Sequence, residues 1–445
     1  MELEKLRKKI NEVDDGILKL LALRAKVVSK IGKQKKSKVN VVDLDREQNI
    51  IERLVNKANK NYSKDTIIRI WREIFQASSK LQIDKKSIIE TKRSIDNIKI
   101  YKGGKSFIAG KKKILKLSSN ESSLGASPNI QKINYKNISQ RFHRYPEVNG
   151  KTLRKEIAKL HKINSEQIVL GCGSDEVLLF AALSFCKDGD EIIQAQHGFE
   201  MYPIFANIVG AVTKYAKEDK NYKISVESIC EQLTDSTKLI FIANPNNPTG
   251  NYLSKDEIIR LMKSIPKNII VVLDGAYTEY VTNKDFDNSF SLLKKFNNII
   301  FTRTFSKSYG LAGLRIGWCY SSPSIVDILN KVKGPFNTGL VSQEIAISAL
   351  KDQKHINQIV KSNIEVKKWF EKELKKLNIV SKPSVANFSF IETTKKHAKK
   401  IASHLLSDGI VIRQLDSYNL PHCLRITIGT KKEMELVIKS LKKFL

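Results

Sequence analysis

The sequence lacks long apolar runs and an even set of cysteines. None of its hydrophobic stretches reaches the length that spans a membrane, and the N-terminus begins a charged helical pattern without the apolar segment of a signal peptide. The 5 cysteines are scattered without metal-ligand spacing, and an odd number suits a reducing compartment better than a disulfide framework. We therefore expect a cytoplasmic protein that holds no metal.

Acidic residues are also scarce: 46 Asp and Glu stand against 78 Lys and Arg, which gives a formal net charge of +32. Such a charge attracts nucleic acids as well as small anions. The basic residues are spread along the whole chain instead of forming one tail or stripe, which favours a general lysine bias over DNA binding. We expect small anionic substrates as partners, and neither nucleic acid nor membrane.

With 445 residues, the chain is too long for one ordinary core, so two or three domains are expected. Residues 84–97 are polar and charged without sustained periodicity, which indicates a linker. Residues 1–83 show helical periodicity, whereas residues 98–445 come to alternate short apolar strands with helices. The sequence thus predicts an all-α domain followed by a larger α/β body.

The first 31 residues predict one long helix with a coiled-coil-like apolar seam. Arg24 takes a position in that seam where leucine is expected, and a buried cation is costly unless it meets an anion. Lys35 follows three helical turns later and shares the face of Arg24. Arg7 is rotated from it by roughly 100° and would serve a site on another subunit.

A second helix follows residues 43–47, and Ser63 is a plausible N-cap for a third. This third helix carries Ser78 and Gln82 four residues apart, on one face. Polar residues among the apolar rows of three helices predict a helical dimer that encloses a charged pocket.

Residues 1 to about 83 resemble the all-helical chorismate mutases, apart from a first inter-helix loop that is one residue shorter. The resemblance rests on residues 6–10, 23–24, 32–35, 43–47 and 78–82. It implies that Arg24, Arg46 and Arg7 of the partner subunit hold the two carboxylates of chorismate, with help from Ser78. Lys35 and Gln82 would donate to the ether oxygen, while Glu47 and Asp43 would meet the ring hydroxyl and nearby groups. Because the rearrangement to prephenate is unimolecular, a fixed conformer and donors at the developing negative charge suffice.

In the body, functional side chains follow predicted strands. A glycine turn at residues 171–176 leads into a helix, and such a turn forms an anion site. Asn247 lies in a rigid Asn-Pro turn, and Asp274 ends an apolar strand, where a carboxylate needs a cationic partner. Lys307 follows the next strand in a Ser-Lys step before a glycine-spaced turn, which is typical of a lysine that binds pyridoxal phosphate through a Schiff base.

Residues 98–445 resemble the fold-type I pyridoxal-phosphate aminotransferases and are close to the histidinol-phosphate aminotransferase branch. Asn247, Asp274, Tyr277, Lys307 and Arg315, in that order, carry the resemblance. It implies an arm at 98–150, a large domain at about 151–335 with a mostly parallel sheet, and a smaller α+β domain at about 336–445.

The resemblance also implies a role for each site residue. Lys307 would hold the cofactor aldehyde and move a proton, Asp274 would keep the ring nitrogen protonated, Tyr277 and Asn247 would bond its phenolic oxygen, and Phe199 would stack on the ring. The cofactor phosphate would be framed by Ser174, Asp175, Thr304, Ser306, Arg315 and Tyr145 of the partner subunit. The substrate would meet Arg425 at its α-carboxylate, Arg413 at its far phosphate or second carboxylate, and Asn120 and Asn387 along the pocket.

Together the two resemblances imply a bifunctional homodimer: a chorismate mutase fused to an aminotransferase that acts, with glutamate as amino donor, on prephenate or aromatic 2-oxo acids in phenylalanine and tyrosine biosynthesis. An alternative acceptor is imidazole acetol phosphate, which would make the body a histidinol-phosphate aminotransferase of histidine biosynthesis. A different class is a transcription regulator with a DNA-binding head, although residues 1–83 lack compact helix-turn-helix spacing. A head that only senses a ligand is a further alternative.

Overall fold

The computed structural model describes residues 2–34, 44–58, 62–81, 92–96, 98, 100, 114–287 and 290–444. The chain forms two compact units, a helical unit (Met1–Asn97) and a body (Ile98–Leu445). Within the described residues, no helix is long and apolar enough to cross a membrane.

The helical unit contains the predicted long helix and two shorter ones. They are α1 (Glu2–Gln34), α2 (Leu44–Lys57) and α3 (Lys64–Lys80), followed by the single turn α4 (Arg93–Asp96). Ser63 caps α3 as predicted, because its hydroxyl oxygen accepts a hydrogen bond from the Thr66 backbone N–H at 3.2 Å. Each of α1, α2 and α3 contributes one buried apolar residue, namely Val28, Ile51 and Phe75 in that order.

Much of the apolar seam of α1 remains exposed within one chain. Leu3, Leu6, Ile10, Val13 and Ile17 each expose more than half of their surface. Isolated exposed hydrophobic residues are ordinary, but a contiguous apolar stripe marks an interaction surface. The helical unit therefore presents a long apolar stripe on α1.

The body has strands in two sheets and helices around them. Its strands are β1 (Leu115–Leu117), β2 (Ile168–Gly171), β3 (Glu191–Ala195), β4 (Val212–Ala216), β5 (Thr237–Ala243), β6 (Ile270–Asp274), β7 (Ile299–Thr304), β8 (Gly317–Ser321), β9 (Val380–Lys382), β10 (Phe388–Glu392), β11 (Ile410–Leu415) and β12 (Leu420–Thr427). Its helices are α5 (Tyr135–Ser139), α6 (Lys151–His161), α7 (Ser174–Phe185), α8 (Met201–Val209), α9 (Val226–Cys230), α10 (Lys255–Ser264), α11 (Pro323–Val332), α12 (Leu340–Leu350), α13 (Gln353–Lys376), α14 (Lys395–Ser407) and α15 (Lys431–Phe444).

The larger sheet has the order β2-β8-β7-β6-β5-β3-β4. The strands from β7 to β4 run parallel to one another, and β8 is antiparallel to both of its neighbours. This confirms the predicted mostly parallel sheet. Side chains alternate between its faces: Ile240 and Ile242 pack in a core with α6, α10 and α12, whereas Leu239 and Phe241 pack in a core with α7, α8 and α11. Because they are covered on both faces, its central strands contain continuous apolar runs, such as residues 270–273 of β6.

The smaller sheet has the order β1-β11-β12-β10-β9 and is covered by α13, α14 and α15. Strand β1 pairs in parallel with β11, so part of the predicted arm is an edge strand of the small sheet instead of a covering segment. Helix α12 packs in the core of the large sheet, although the sequence boundary at about 336 assigned it to the small domain. Both differences arise because pairing and packing partners far along the chain decide where a short segment lies.

Candidate active sites

One pocket of the body lies at the carboxyl ends of parallel strands. Asn247 follows β5, Asp274 ends β6 and Lys307 follows β7, and such strand ends meet at one edge of a sheet. The pocket also includes side chains from the small sheet and from the segment after β1. It is lined by Ser118, Ser119, Asn120, Glu121, Ser174, Asp175, Phe199, Ala243, Pro245, Asn247, Asp274, Ala276, Tyr277, Thr304, Ser306, Lys307, Ala312, Arg315, Arg413, Tyr418 and Arg425.

Asp274 is buried and fixed by two hydroxyl groups. Its Oδ1 accepts a hydrogen bond from Thr302 Oγ1 at 2.9 Å, and its Oδ2 accepts one from Tyr202 Oη at 2.9 Å. Burial raises the pKa of the Asp274 carboxyl, and these two hydrogen bonds oppose the shift. The carboxylate is therefore oriented before any ligand binds. Tyr202 was missed by sequence reasoning, because a tyrosine at the start of an apolar helix is usually part of the core.

Lys307 is held beside the segment that follows β1. Its Nζ donates a hydrogen bond to the Ser119 carbonyl oxygen at 3.0 Å. Burial, followed by the charge of Arg425, lowers the pKa of Lys307 from 10.5 to about 8. A much larger fraction of this amine is therefore neutral near pH 7 than of an exposed lysine, and the neutral amine is the nucleophilic form.

A cradle for an anion lies where α7 begins. Ser174 and Asp175 are the first two residues of α7. The Arg315 guanidinium lies beside them, because its Nη1 donates to Ser306 Oγ at 3.3 Å and its Nη2 pairs with Asp175 Oδ2 at 3.4 Å. Thr304 Oγ1 donates to Ser306 Oγ at 3.0 Å. Hydroxyls, a guanidinium and a helix N-terminus together suit a phosphate group.

Gly173 makes this close approach of Arg315 sterically allowed. It has φ of +81°, and a Cβ there would lie 2.5 Å from Arg315 Nη2. The glycine turn predicted from the sequence is thus needed both for its backbone conformation and for the space it leaves.

The two arginines that the sequence assigns to substrate, Arg413 and Arg425, lie side by side on the small sheet. Arg425 donates to Asn247 Oδ1 and, at 2.8 Å, to the Ser118 carbonyl oxygen. Arg413 Nη2 donates to Glu200 Oε2 at 2.9 Å. Neither Glu200 nor Tyr418, which also lines the pocket, was identified from the sequence, since nothing in the local pattern marks them as pocket residues.

Two predicted substrate residues form a support beside the pocket. Asn120 lines it and donates from Nδ2 to Tyr277 Oη at 2.8 Å. Asn387 is buried and donates from Nδ2 to the Asn120 carbonyl oxygen at 3.0 Å. Asn387 thus supports Asn120 from the side instead of lining the pocket itself.

Tyr145 does not reach the pocket of its own chain. Its ring is 81% exposed and stacks on Phe336 with centroids 4.5 Å apart. The sequence assigned it to the phosphate of a partner subunit, and this role stays a prediction.

The helical unit brings two of its predicted substrate residues together. Arg24 Nη1 donates to Ser78 Oγ, and its guanidinium lies over the rings of Trp71 and Phe75, at 5.9 and 5.5 Å from their centroids. Burial lowers the pKa of Arg24, while the charge of Glu47 raises it. The arginine in the apolar seam therefore has aromatic neighbours, a hydroxyl acceptor and a carboxylate close by.

Of the other residues of this unit that were predicted to bind chorismate, some are described and some are not. Arg7 on α1 and Arg46 on α2 are exposed. Lys35, Asp43 and Gln82 lie outside the described residues.

The pocket of the body fits pyridoxal phosphate in each part. A buried carboxylate, Asp274, suits a protonated ring nitrogen; a part-buried amine of lowered pKa, Lys307, suits an aldehyde; and the cradle at α7 suits a phosphate. The fold and the pocket together define a fold-type I pyridoxal-phosphate enzyme.

Comparison with known proteins agrees with this definition. The sequence profile of the family described as aminotransferase class I and II matches residues 112–441, and that of chorismate mutase type II matches residues 6–83. The chain therefore belongs to the aminotransferase class I and II family and carries an N-terminal chorismate mutase region. Both indicate an enzyme, as predicted, and the family confirms pyridoxal phosphate as the cofactor.

The chain is similar in sequence to histidinol-phosphate aminotransferases. The chain is 45% identical over 348 residues to a histidinol-phosphate aminotransferase of Pelagibacter ubique (strain HTCC1062), and the matched region covers 78% of this chain and 96% of the relative. A second such enzyme, from Rhodopseudomonas palustris (strain HaA2), is 39% identical over 362 residues, or 80% of this chain and 98% of the relative. The crystal structure of histidinol-phosphate aminotransferase from Sinorhizobium meliloti in complex with pyridoxal-5'-phosphate has a TM-score of 0.74 at 22% identity, covers 81% of this chain and 99% of its own, and shares the fold.

Replacing Asp274 by asparagine should lower transamination by about 10² to 10³-fold, because an amide cannot supply the negative charge that a protonated ring nitrogen requires. The fold should persist, since the amide oxygen can still accept from Thr302. The rate of the half-reaction with glutamate measures the effect. Asp285→Asn is the matched control, because Asp285 is also bonded to a tyrosine hydroxyl, that of Tyr252 at 2.8 Å, but lies outside the pocket. Equal activity of the two variants would contradict the assigned role.

Proposed function

We propose that the chain is a bifunctional enzyme. Residues 1–83 convert chorismate to prephenate, and residues 98–445 transfer an amino group from glutamate to imidazole acetol phosphate. The observation that carries the aminotransferase half is the convergence of Lys307, Asp274 and Arg425 in one pocket.

Lys307, Arg425 and Asp274 have different tasks in the proposed reaction. When bound, pyridoxal phosphate supplies an aldehyde that attaches to amines and a ring that withdraws electrons from the substrate carbon. Lys307 holds that aldehyde and, once released, moves a proton at the substrate carbon, for which its pKa of about 8 is well matched. Arg425 grips the α-carboxylate of glutamate with its planar pair of donors. Asp274 keeps the ring protonated.

The relatives favour imidazole acetol phosphate as the acceptor. All of the relatives described above are named histidinol-phosphate aminotransferase, and the chain spans nearly their whole length. In the pocket, Arg413 is the cation that would meet the phosphate at the far end of this substrate.

A second acceptor, prephenate or an aromatic 2-oxo acid, is favoured by the fusion itself. The match of residues 6–83 to chorismate mutase type II joins a prephenate-forming activity to an aminotransferase. An enzyme that makes prephenate and then aminates it, or its aromatic product, would carry out two steps towards phenylalanine and tyrosine.

The mutase half is proposed to use a cage of cations. Arg24, already oriented by Ser78, would hold one carboxylate of chorismate together with Arg46, and Arg7 of the partner subunit would complete the site. Lys35 and Gln82 would donate to the ether oxygen, and Glu47 and Asp43 would meet the ring hydroxyl. Such fixed donors act where negative charge develops.

The active form is proposed to be a homodimer. The exposed apolar stripe on α1 supports this, because a second copy of α1 would cover it. The exposed ring of Tyr145, which the resemblance assigns to the partner's phosphate site, also supports it.

A panel of acceptors with glutamate as donor tests the proposal. We expect imidazole acetol phosphate to give the highest kcat/KM, with measurable turnover of prephenate or of phenylpyruvate and 4-hydroxyphenylpyruvate. Consumption of chorismate by the same preparation tests the mutase half. A protein that leaves chorismate untouched and transaminates none of the four acceptors would overturn the proposal.

A further inference from the structure

Two of the three arginines that line the body pocket oppose each other on neighbouring strands. Arg413 on β11 and Arg425 on β12 are register partners in the antiparallel pair, and both line the pocket. Like charges directly opposite each other on adjacent strands are destabilising. The pair is therefore stable only if anions or ligands compensate the charge.

The compensation of the two arginines is different in kind. Arg425 donates to neutral oxygens, those of the Asn247 side chain and the Ser118 backbone. Its Nε is buried and has no hydrogen-bond partner among the residues that the structure describes. Arg413 donates to a carboxylate, that of Glu200, and the two side chains are only 13 and 12% exposed. The charge of Arg425 is thus left for a ligand, whereas Arg413 meets an anion of the protein itself.

Glu200 is well placed for this contact and is not used elsewhere as a helix cap. It precedes α8, yet its side chain makes no capping hydrogen bond. The segment before it is anchored, because the His197 backbone N–H donates to Glu218 Oε1 at 3.0 Å and the His197 ring bonds Glu218 Oε2 at 2.7 Å. Glu200 also directly follows Phe199, a lining residue. Its carboxylate is therefore held against Arg413, which lines the pocket.

We propose that Glu200 is a specificity-determining residue that competes with the far-end anion of the substrate for Arg413. When the far end of a ligand is neutral, as in an aromatic 2-oxo acid, Arg413 stays paired with Glu200. When the far end is a carboxylate or phosphate, that anion must share or displace the Glu200 carboxylate. This inference rests on the proposed aminotransferase function and explains how one pocket takes a dianionic donor and acceptors of different charge.

The competition has an energetic consequence. A ligand anion that approaches Arg413 also approaches Glu200, and two like charges in a partly desolvated site repel each other more strongly than in water. The present pairing therefore weakens the binding of dianions and leaves the binding of monoanions with an apolar end almost unaffected. The selectivity of the pocket between dianions and monoanions with an apolar end is set by this difference in binding free energy.

The test uses two non-reacting ligands of the full-length holoenzyme, glutarate and 3-phenylpropionate. Glutarate carries a carboxylate at both ends, whereas 3-phenylpropionate has one carboxylate and a neutral aromatic end. In Glu200→Gln, which keeps the shape and removes the charge, calorimetry should show glutarate binding about three- to tenfold tighter and 3-phenylpropionate changed by less than about twofold. Equal changes for the two ligands, or no change for glutarate, would overturn the proposal.

Matched variants separate competition from a general charge effect. Glu227→Gln removes the same charge from a Glu–Arg pair with Arg260 that is exposed and outside the pocket, at 2.6 Å, so neither affinity should change. In an Arg413→Gln background, the gain from Glu200→Gln should disappear, and a persistent gain would show that Glu200 acts without Arg413. Glu200→Asp, which retains the charge, should stay close to the wild type. Because none of these measurements needs an acceptor to turn over, a wrong choice of acceptor would not be mistaken for failure of this inference.

Discussion

Replacing Lys307 by alanine should abolish transamination of every acceptor, with a loss of at least about 10³-fold, while chorismate consumption stays within about twofold of the wild type. Lys307 is a part-buried amine that lines the body pocket, and its lowered pKa of about 8 provides the neutral form that the reaction needs. The helical unit is a separate compact unit, so we expect the rearrangement of chorismate to proceed without this amine. Parallel assays of amino transfer and of chorismate disappearance on one preparation measure both effects.

Two further variants show what the amine contributes. Lys307→Arg retains a positive charge but cannot supply a neutral nucleophile, because a guanidinium stays protonated in proteins. It should be as inactive as Lys307→Ala and should also fail to develop visible absorption with pyridoxal phosphate. Lys284→Ala removes an exposed lysine outside the pocket and should retain full activity. If Lys307→Arg kept more than a trace of amino transfer, the role of the lysine would be electrostatic only.

Replacing Arg24 by alanine should have the opposite result: chorismate turnover falls by about 10² to 10³-fold and transamination is unchanged. Arg24 lies at the apolar seam of α1, where Ser78 and two aromatic rings fix its guanidinium. Alanine removes both the charge for a carboxylate of chorismate and its orientation. The decrease in chorismate absorbance over time measures the loss.

The control for Arg24 is Arg69, an exposed arginine on α3, whose replacement by alanine should leave both activities intact. Circular dichroism should show the same helix content for both variants. A loss of both activities in Arg24→Ala would contradict two separate sites. If Arg24→Ala lost the binding of prephenate while the wild-type protein bound it but never consumed chorismate, the helical unit would be a ligand sensor instead of a mutase.

The positions of the central site residues were predictable because they follow strands. Asp274 ends one strand with an apolar run and Lys307 comes three residues after the next strand, and parallel strands bring their carboxyl ends to one edge of the sheet. The glycine turn at 171–176 was equally predictable, since only glycine adopts the conformation that Gly173 has at φ of +81°.

Other parts of the pocket could not be predicted from local patterns. Tyr202, which bonds Asp274, and Glu200, which pairs with Arg413, come from the start of one helix and reach partners 72 and 213 residues away. The strand β1 likewise joins β11 only because the two meet in the folded chain. In each case the partner is distant in sequence, and a side chain gives no local sign of a long-range hydrogen bond.

The sequence by itself determined the division into a helical and an α/β part, the order of the strands along the chain and the residue types at the strand ends. These features depend on periodicity and turn chemistry, which act over a few residues. Only the tertiary structure decided that α12 packs on the large sheet and that Asn387 supports Asn120 from beside the pocket. It also decided that Arg413 is paired with Glu200, while the Nε of Arg425 has no hydrogen-bond partner within the described part of the chain. The physical reason is that burial and charge compensation depend on all neighbours in space, and most of those neighbours are far apart in the chain.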